Sequence, residues 1–263
     1  STPKPSSAAS DVYKRQGVWA TEPTNAVVYK NLQTNLPTVV MQSPDLDFPE
    51  SLPSYVDGRA LGDYIAAYAQ KFGVEATFGA RVLDVTPLPD DRWQVKYETQ
   101  QGCSQDEYDA VVVCNGHYEA PYIPEIPGQE AWLHGERSII HSLHYHEPSP
   151  YEGKAVLIVG GRSSGVDISR ELQNVATWAY IIEKKCADLV SDETRRVTHV
   201  PLGTRLGADG KLRLDDGAVV SGAGPPVDRV VLATGYVYSF PYLDEQALGD
   251  ARAASIEKTR NEA

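Results

Sequence analysis

Apolar residues follow two rhythms along the chain. After Asp57, Leu61, Tyr64, Ile65, Tyr68, Ala69 and Phe72 recur every three or four positions, the spacing of one helix face. Asp57 suits an N-cap and Gly73 a stop, so a helix is predicted between them. Trp93, Val95 and Tyr97 alternate instead with Arg92, Gln94 and Lys96, the period of a half-buried strand. Three runs are apolar throughout: Ala110–Cys114, Ala155–Val159 and Arg229–Ala233 after its first residue. Such runs predict strands covered on both faces, as in a parallel sheet. Between Ala155–Val159 and a further strand at Ala179–Ile182, a helical pattern spans Ser164 to Val175, which completes a βαβ unit. Leu212–Leu214 and Ala218–Val220 flank Asp215-Asp216-Gly217, the pattern of a hairpin. Pro121, Pro124 and Pro127 with Gly128 forbid regular helix and predict a stiff connector between domains. No repeat period is present.

In open α/β sheets ligands bind beyond the carboxyl ends of the strands, so the residues after each apolar run carry the chemistry. Ala155–Val159 leads into Gly160-Gly161-Arg162-Ser163-Ser164-Gly165, a glycine turn opening a helix, where backbone N–H groups and the helix dipole can hold a pyrophosphate. Arg162 occupies the middle glycine position of the G-x-G-x-x-G pattern, and a tight turn without a ligand is the plain alternative. The next strand ends in Glu183-Lys184-Lys185, an acid suited to a ribose 2′-OH beside bases suited to a 2′-phosphate. That spacing leaves NADH and NADPH both open. The other two runs end at Cys114-Asn115-Gly116 and Ala233-Thr234-Gly235, where glycine lets the backbone approach a flat or charged group.

Composition narrows the class. Among 263 residues, 24 Lys+Arg against 36 Asp+Glu give a formal charge of −12, which would repel a phosphate backbone, so no nucleic-acid partner is expected. The 41% hydrophobic and 23% charged content excludes wholesale disorder and a rod. No apolar run reaches the roughly 20 residues of a membrane span. Cys103, Cys114 and Cys186 are too few and scattered for a disulfide framework, which points to a reducing, cytoplasmic setting. Residues 1–16 are expected to be a disordered tail. Within it Asp11–Gln16 resembles a translated transposase adapter, which would make everything before Gly17 read-in sequence. Asp250–Ala263 is polar and Ala-rich, suited at most to one loose helix.

Taken in order, the motifs resemble the flavin-containing monooxygenase family. They are Gly17-Val18-Trp19, Thr34-Asn35-Leu36-Pro37, Cys114-Asn115-Gly116-His117-Tyr118 with the Pro121–Gly128 connector, the Gly160 loop with Ser164-Gly165-Val166-Asp167-Ile168, Ala233-Thr234-Gly235-Tyr236, and Phe240-Pro241-Tyr242-Leu243. The resemblance spans about Gly17 to Leu243 and implies an α/β chain of two nested dinucleotide-binding, Rossmann-like domains. Residues 17–128 would form part of an FAD-binding domain, 129–226 an inserted NADPH-binding domain, and 227–263 the return to the FAD-binding domain. The family's FAD glycine loop, which should precede Gly17, and the acid after its second strand are absent. The resemblance therefore implies an incomplete FAD domain and a fragment inactive alone.

Matched position by position, Val18 and Trp19 would lie along FAD, and Asn35 with Leu36 would border its ring. Thr34 and Asn35 would face the nicotinamide, Gly160, Ser164, Gly165, Val166 and Asp167 would lie at the NADPH pyrophosphate, and Cys114-Asn115-Gly116 with Thr234-Gly235 would link the domains. The implied activity is that of an N,N-dimethylaniline-type flavin monooxygenase, using NADPH and O₂ to oxygenate a small amine or sulfide through a C4a-hydroperoxyflavin. Asn35 would be its catalytic residue, since its amide can donate and accept near a peroxide without supplying an acidic proton. As a residue before Leu36-Pro37, Asn35 also suits a plain turn. Leu133 to Tyr145 matches a second family signature at Gly135, His141 and Tyr145, with Leu133 in place of an aromatic and a longer Gly-to-His spacing. Other readings are a related two-domain flavoprotein, either a ketone-oxygenating monooxygenase or a pyridine-nucleotide-dependent reductase, and a non-catalytic nucleotide-binding remnant. No Cys-x-x-Cys supports the disulfide reductase, and no Gly-x-Ser-x-Gly supports a hydrolase. His134, His141, His144 and His146 read as a polar loop rather than a metal site, Cys114 as a buried small hydrophobe, Glu125, Glu130, Asp215 and Asp216 as solvated charges, and Trp178 as core.

Overall fold

The structure is a computed structural model that describes residues 17–19, 28–89, 91–184, 186, 189–220 and 224–243. The 1–16 tail, Lys185 and the stretch from Asp250 lie outside the described residues. The chain divides into two compact units, one up to Ala120 and again from Val237, the other Pro121–Tyr236.

Unit one holds α1 (Thr38–Met41), α2 (Gly58–Lys71) and strands β1 (Arg81–Pro87), β2 (Trp93–Thr99) and β3 (Gly102–Tyr108). The Asp57 carboxylate caps α2 by accepting from the Ala60 N–H at 2.8 Å, as its position in the sequence predicts. Tyr64, on one face of α2, stacks on Phe48 with ring centroids 3.9 Å apart; its hydroxyl accepts from Ser43 N–H and donates to the Leu46 carbonyl, each at 2.7 Å. The strands form an antiparallel meander in the order β1-β2-β3, with Val85 opposite Val95 and Tyr97 opposite Ser104. After the second crossover the chain returns to this meander, where Val85 N–H donates to the Tyr242 carbonyl at 2.7 Å. Ala110–Cys114 does not form the buried strand that its composition predicts. It has no regular secondary structure, with Val112 83% exposed and Cys114 exposed. Burial on both faces requires strands on both sides, and among the described residues none lies alongside this run.

Unit two holds α3 (Gln129–Trp132), β4 (Ser138–His141), β5 (Ala155–Val159), α4 (Ser163–Leu172), β6 (Trp178–Glu183), β7 (Val190–Asp192), β8 (Val197–Pro201), β9 (Arg205–Leu206), β10 (Leu212–Arg213) and β11 (Arg229–Leu232). Six strands make one sheet in the order β4-β11-β5-β6-β8-β7, parallel except for the edge strand β7. The β5-α4-β6 crossover is the predicted βαβ unit, and β11 lies between β4 and β5. Ala155, Leu157, Tyr180, Ile182, Val200, Val230 and Leu232 share a core with Trp132, Leu206, Leu212 and Val227. Trp178 packs at its margin, in keeping with its expected place in the core. Alternation turns Val156 and Ile158 to the other face, where α4 packs on β5 and β6 and buries Ile168 and Leu172 completely. Trp132 anchors the first face, its indole N–H donating to the Val227 carbonyl at 3.2 Å. The expected Asp215-Asp216-Gly217 turn is present, with Leu214 N–H donating to the Ala218 carbonyl at 2.8 Å, although β10 also pairs with β9.

The two crossovers fall at Ala120/Pro121 and Tyr236/Val237. Pairing of β11 with β4 and β5 fixes 229–232 in unit two. Pro121 bridges Tyr236 antiparallel, Tyr122 N–H donates to the Gly235 carbonyl and Val237 N–H to that of Ala120, each at 2.9 Å.

Candidate functional site

At the carboxyl end of β5 the chain must turn sharply and restart as a helix. Gly160 adopts φ +113°, and a Cβ there would overlap the Ala233 carbonyl at the end of β11. A Cβ on Gly165 would overlap the Gly160 carbonyl oxygen and touch Ala233 Cβ at 3.4 Å. These glycines serve two of the purposes of a dinucleotide fingerprint, the tight turn and the close packing of helix on strand. Arg162 stands at the helix N-cap in extended geometry and is exposed; its side chain makes no capping bond, and the first turn of α4 contains no acid. The leading N–H groups of α4 are thus directed by the helix dipole toward an anion, although the Glu183 carboxylate lies beside Gly161 in the same turn. This turn fits a pyrophosphate.

Several predicted residues gather here. Gly160, Ser164, Gly165, Val166 and Asp167 form the turn and first helical residues, with Ser164 exposed and Asp167 3.6 Å from Arg170. Thr234 and Gly235 follow β11 directly after the Ala233 carbonyl on which Gly160 is seated. The Thr234 hydroxyl donates to the Tyr122 carbonyl at 2.5 Å, tying the strand end to the incoming crossover.

His141 belongs to the same strand ends. It closes β4, is 2% exposed, and its Nε2 lies 3.0 Å from the Gly235 carbonyl while Nδ1 accepts from Leu143 N–H at 3.1 Å. Only the neutral ring with hydrogen on Nε2 satisfies both contacts. Burial lowers the His141 pKa below its usual 6.5, opposed by the Gly235 carbonyl and aided by His144. The Tyr236 ring meets His141 edge-on at 5.1 Å. The polar-loop reading therefore needs correcting at this residue: His144 and His146 are exposed, but His141 is an interior support of the crossover. Tyr145, 1% exposed, donates to the Glu171 carboxylate on α4 at 2.7 Å.

The remaining predicted residues lie in unit one. Val18 and Trp19 form a 3₁₀ turn with Gly17, and the Trp19 ring lies against Gly58 at the start of α2. Thr34 is buried, pairs with Val56 through its backbone N–H at 2.9 Å and accepts from Val56 N–H on its hydroxyl at 3.2 Å. Asn35 and Leu36 are exposed in the bend before α1. Asn115 donates to the Ser239 carbonyl at 3.4 Å, and Gly116 adopts φ +74°. Cys114 is exposed, which corrects its reading as a buried hydrophobe. Among the described residues, unit one has no glycine turn that joins a parallel strand to a helix. α2 starts at a carboxylate cap, the wrong charge for a diphosphate. These residues do not supply an anchor for the FAD diphosphate. Among the described residues, no group of three or more His, Cys, Asp or Glu could hold a metal, and no helix is long and apolar enough to cross a membrane.

One pairing escaped the sequence. Glu183, at the end of β6, holds His199 of β8, with Oε1 2.6 Å from Nδ1. A hydrogen bond between strands sixteen positions apart leaves no local sequence signal.

A parallel sheet with a glycine turn against a helix start defines a dinucleotide-binding α/β protein. Residues 15–196 match the Flavin-binding monooxygenase-like family, and the chain belongs to that family. It is 34% identical over 226 residues to flavin-containing monooxygenase FMO GS-OX-like 1 of Arabidopsis thaliana, a match covering 82% of this chain and 47% of the relative. The S-allyl-L-cysteine S-oxygenase of Allium sativum superposes with a TM-score of 0.74 at 30% identity, over 88% of this chain and 57% of that one. The flavin-containing monooxygenase of Stenotrophomonas maltophilia, at 24% identity and a TM-score of 0.69 over 87% of this chain and 70% of that one, shares the fold. The chain spans about half the length of the curated relatives it matches. The family is one of FAD- and NADPH-dependent flavoproteins, as the motifs implied.

Proposed function

We propose that this chain carries the pyridine-nucleotide site, and part of the flavin-binding portion, of a monooxygenase acting on small sulfur or nitrogen nucleophiles. The balanced reaction for a sulfide is R₂S + O₂ + NADPH + H⁺ → R₂SO + NADP⁺ + H₂O. The flavin, when bound, supplies the means of passing two electrons to O₂. Among possible substrates, sulfur is favoured by the S-oxygenating relative. The Gly160–Gly165 turn carries the proposal, because Gly160 and Gly165 close a tight strand-to-helix turn against the end of β11 and the first turn of α4 contains no acid.

In this reading the α4 N–H groups hold the diphosphate, and Gly160 makes the tight turn that presents them. Thr234 and His141 hold the neighbouring strand end still through Tyr122 and Gly235. Asn35, exposed at its bend, would face the nicotinamide and the reacting oxygen, offering an amide that adds no acidic proton. Calorimetric titration of the chain with NADP⁺ tests the central step: saturable binding in the native chain, and its loss in Gly165→Val, are expected. Absence of binding by the native chain refutes the nucleotide site. For oxygenation, a protein in which this chain is joined to an FAD-anchoring segment, given ¹⁸O₂, FAD, NADPH and a thioether, should place one labelled atom in the sulfoxide, measured by mass spectrometry. Label arriving from water instead would refute the monooxygenase.

A further inference from the structure

His141 stands between two backbone partners and can satisfy both only without a charge. Nε2 lies 3.0 Å from the Gly235 carbonyl, and Nδ1 accepts from Leu143 N–H at 3.1 Å. A second ring proton turns Nδ1 from acceptor into donor and sets it against the Leu143 N–H. With the residue 2% exposed, water reaches neither contact, so the charged ring must swing away from its seat. The groups around it do not relieve that charge. His144, on the turn Ser142–His144, works with burial to lower the His141 pKa, and the Gly235 carbonyl alone opposes them. From the end of β11 the Tyr236 ring meets the imidazole edge-on at 5.1 Å, and Glu171 of α4 is engaged by the Tyr145 hydroxyl at 2.7 Å.

The segment that His141 grips leads directly to the glycine turn. β4 and β11 run in parallel register with Leu232 opposite His141, so the imidazole reaches past the strand end to Gly235. Two residues earlier, the Ala233 carbonyl closes over Gly160, and Ala233 Cβ lies 3.4 Å from where a Cβ on Gly165 would stand. The Ala233 N–H donates to the carbonyl of Val159, the last residue of β5, at 2.8 Å. One short strand end, Ala233 to Gly235, is therefore held by His141 at one side and seats the Gly160–Gly165 turn at the other. Close-packed backbone of this kind shifts between discrete arrangements rather than deforming smoothly.

We propose that a proton on His141 and a dinucleotide at the Gly160–Gly165 turn exclude one another, with His141 as a positioning residue that makes nucleotide affinity fall in acid. This rests on the nucleotide-binding reading above. Linkage requires the reverse as well: a nucleotide that binds the neutral-ring form displaces the proton from the acid form. Full affinity belongs to pH above the ordinary value of 6.5, and it is lost as pH falls from there through the lowered folded value.

Calorimetric titration with NADP⁺ at about pH 8 and about pH 5.5 tests the linkage. The nucleotide's own 2′-phosphate titrates at about pH 6, so the native chain is compared with His141→Gln, whose amide keeps a donor for Gly235 but takes up no proton. Between the two pH values native affinity should fall about fivefold further than that of the variant, while the two proteins bind alike at the higher one. Equal pH profiles overturn the proposal, and so does a variant weakened by the same factor at both values, which marks a contact that only shapes the site. Proton NMR of the native chain gives a measure that needs no variant: saturating NADP⁺ should move the titration of the His141 ring to lower pH, and an unmoved titration overturns the linkage. Failure of the native chain to bind NADP⁺ even at the higher pH overturns the nucleotide site and this inference with it.

Discussion

Val111–Cys114 in unit one and Val156–Val159 in unit two are built from the same kind of residue, yet Val112 is 83% exposed and Leu157 is fully buried. The difference lies in what flanks them. β5 has β11 and β6 hydrogen-bonded on either side, α4 on one face and the Trp132 core on the other. The Val111 run leaves the meander after β3 and meets no strand among the described residues. An apolar run therefore records a demand for burial, and neighbouring elements decide whether that demand is met.

The contrast can be broken most strongly at Gly165. Gly165→Val would drive a side chain into the Gly160 carbonyl and should destabilise unit two by about 3 kcal/mol or more, seen as a lower denaturation midpoint. Leu157→Ala should cost about 3 kcal/mol from lost burial and the cavity left behind. A cost below about 1 kcal/mol would mean that β5 is not the buried centre described here.

His141 offers a test by pH. Its folded pKa is lowered, so the unfolded chain binds the proton more readily. The contribution is fully present above the ordinary value near 6.5 and is lost as pH falls from there through the lowered folded value. Unit two should lose stability across that interval, and His141→Gln should flatten the dependence. An unchanged pH profile in that variant would assign the titration elsewhere.

Smaller effects belong to unit one. Asp57→Ala should cost about 1 kcal/mol of α2 stability, read as faster hydrogen exchange in its first turn. Val112→Ala should change stability by less than about 0.5 kcal/mol, as an exposed position does. A cost comparable to that of Leu157→Ala would show this run to be covered after all.

What the sequence reveals follows the range of the forces concerned. The α2 boundaries, β2, the β5-α4-β6 crossover and β11 are legible because periodicity, caps and apolar runs act within a few residues. β3 is not, since Gly102–Tyr108 is an exposed, polar strand held by its ladder to β2 rather than by a buried face. The glycine turn is legible as a motif, but the reason for Gly165 is the position of the Gly160 carbonyl, and only the folded backbone supplies it. His141 is marked by a signature, yet its neutral form comes from burial and from two partners, one of them the distant Gly235. The Glu183–His199 pair is tertiary throughout.

The pairing of Pro121 with Tyr236 brings the entry and exit of unit two together. A module whose two ends emerge side by side can be excised and replaced by a short loop, or transplanted as a cassette, with little disturbance to the host's chain path. Shuffling of whole cofactor modules between proteins is thus geometrically open to this lineage, and the same seam gives a protein engineer a place to cut.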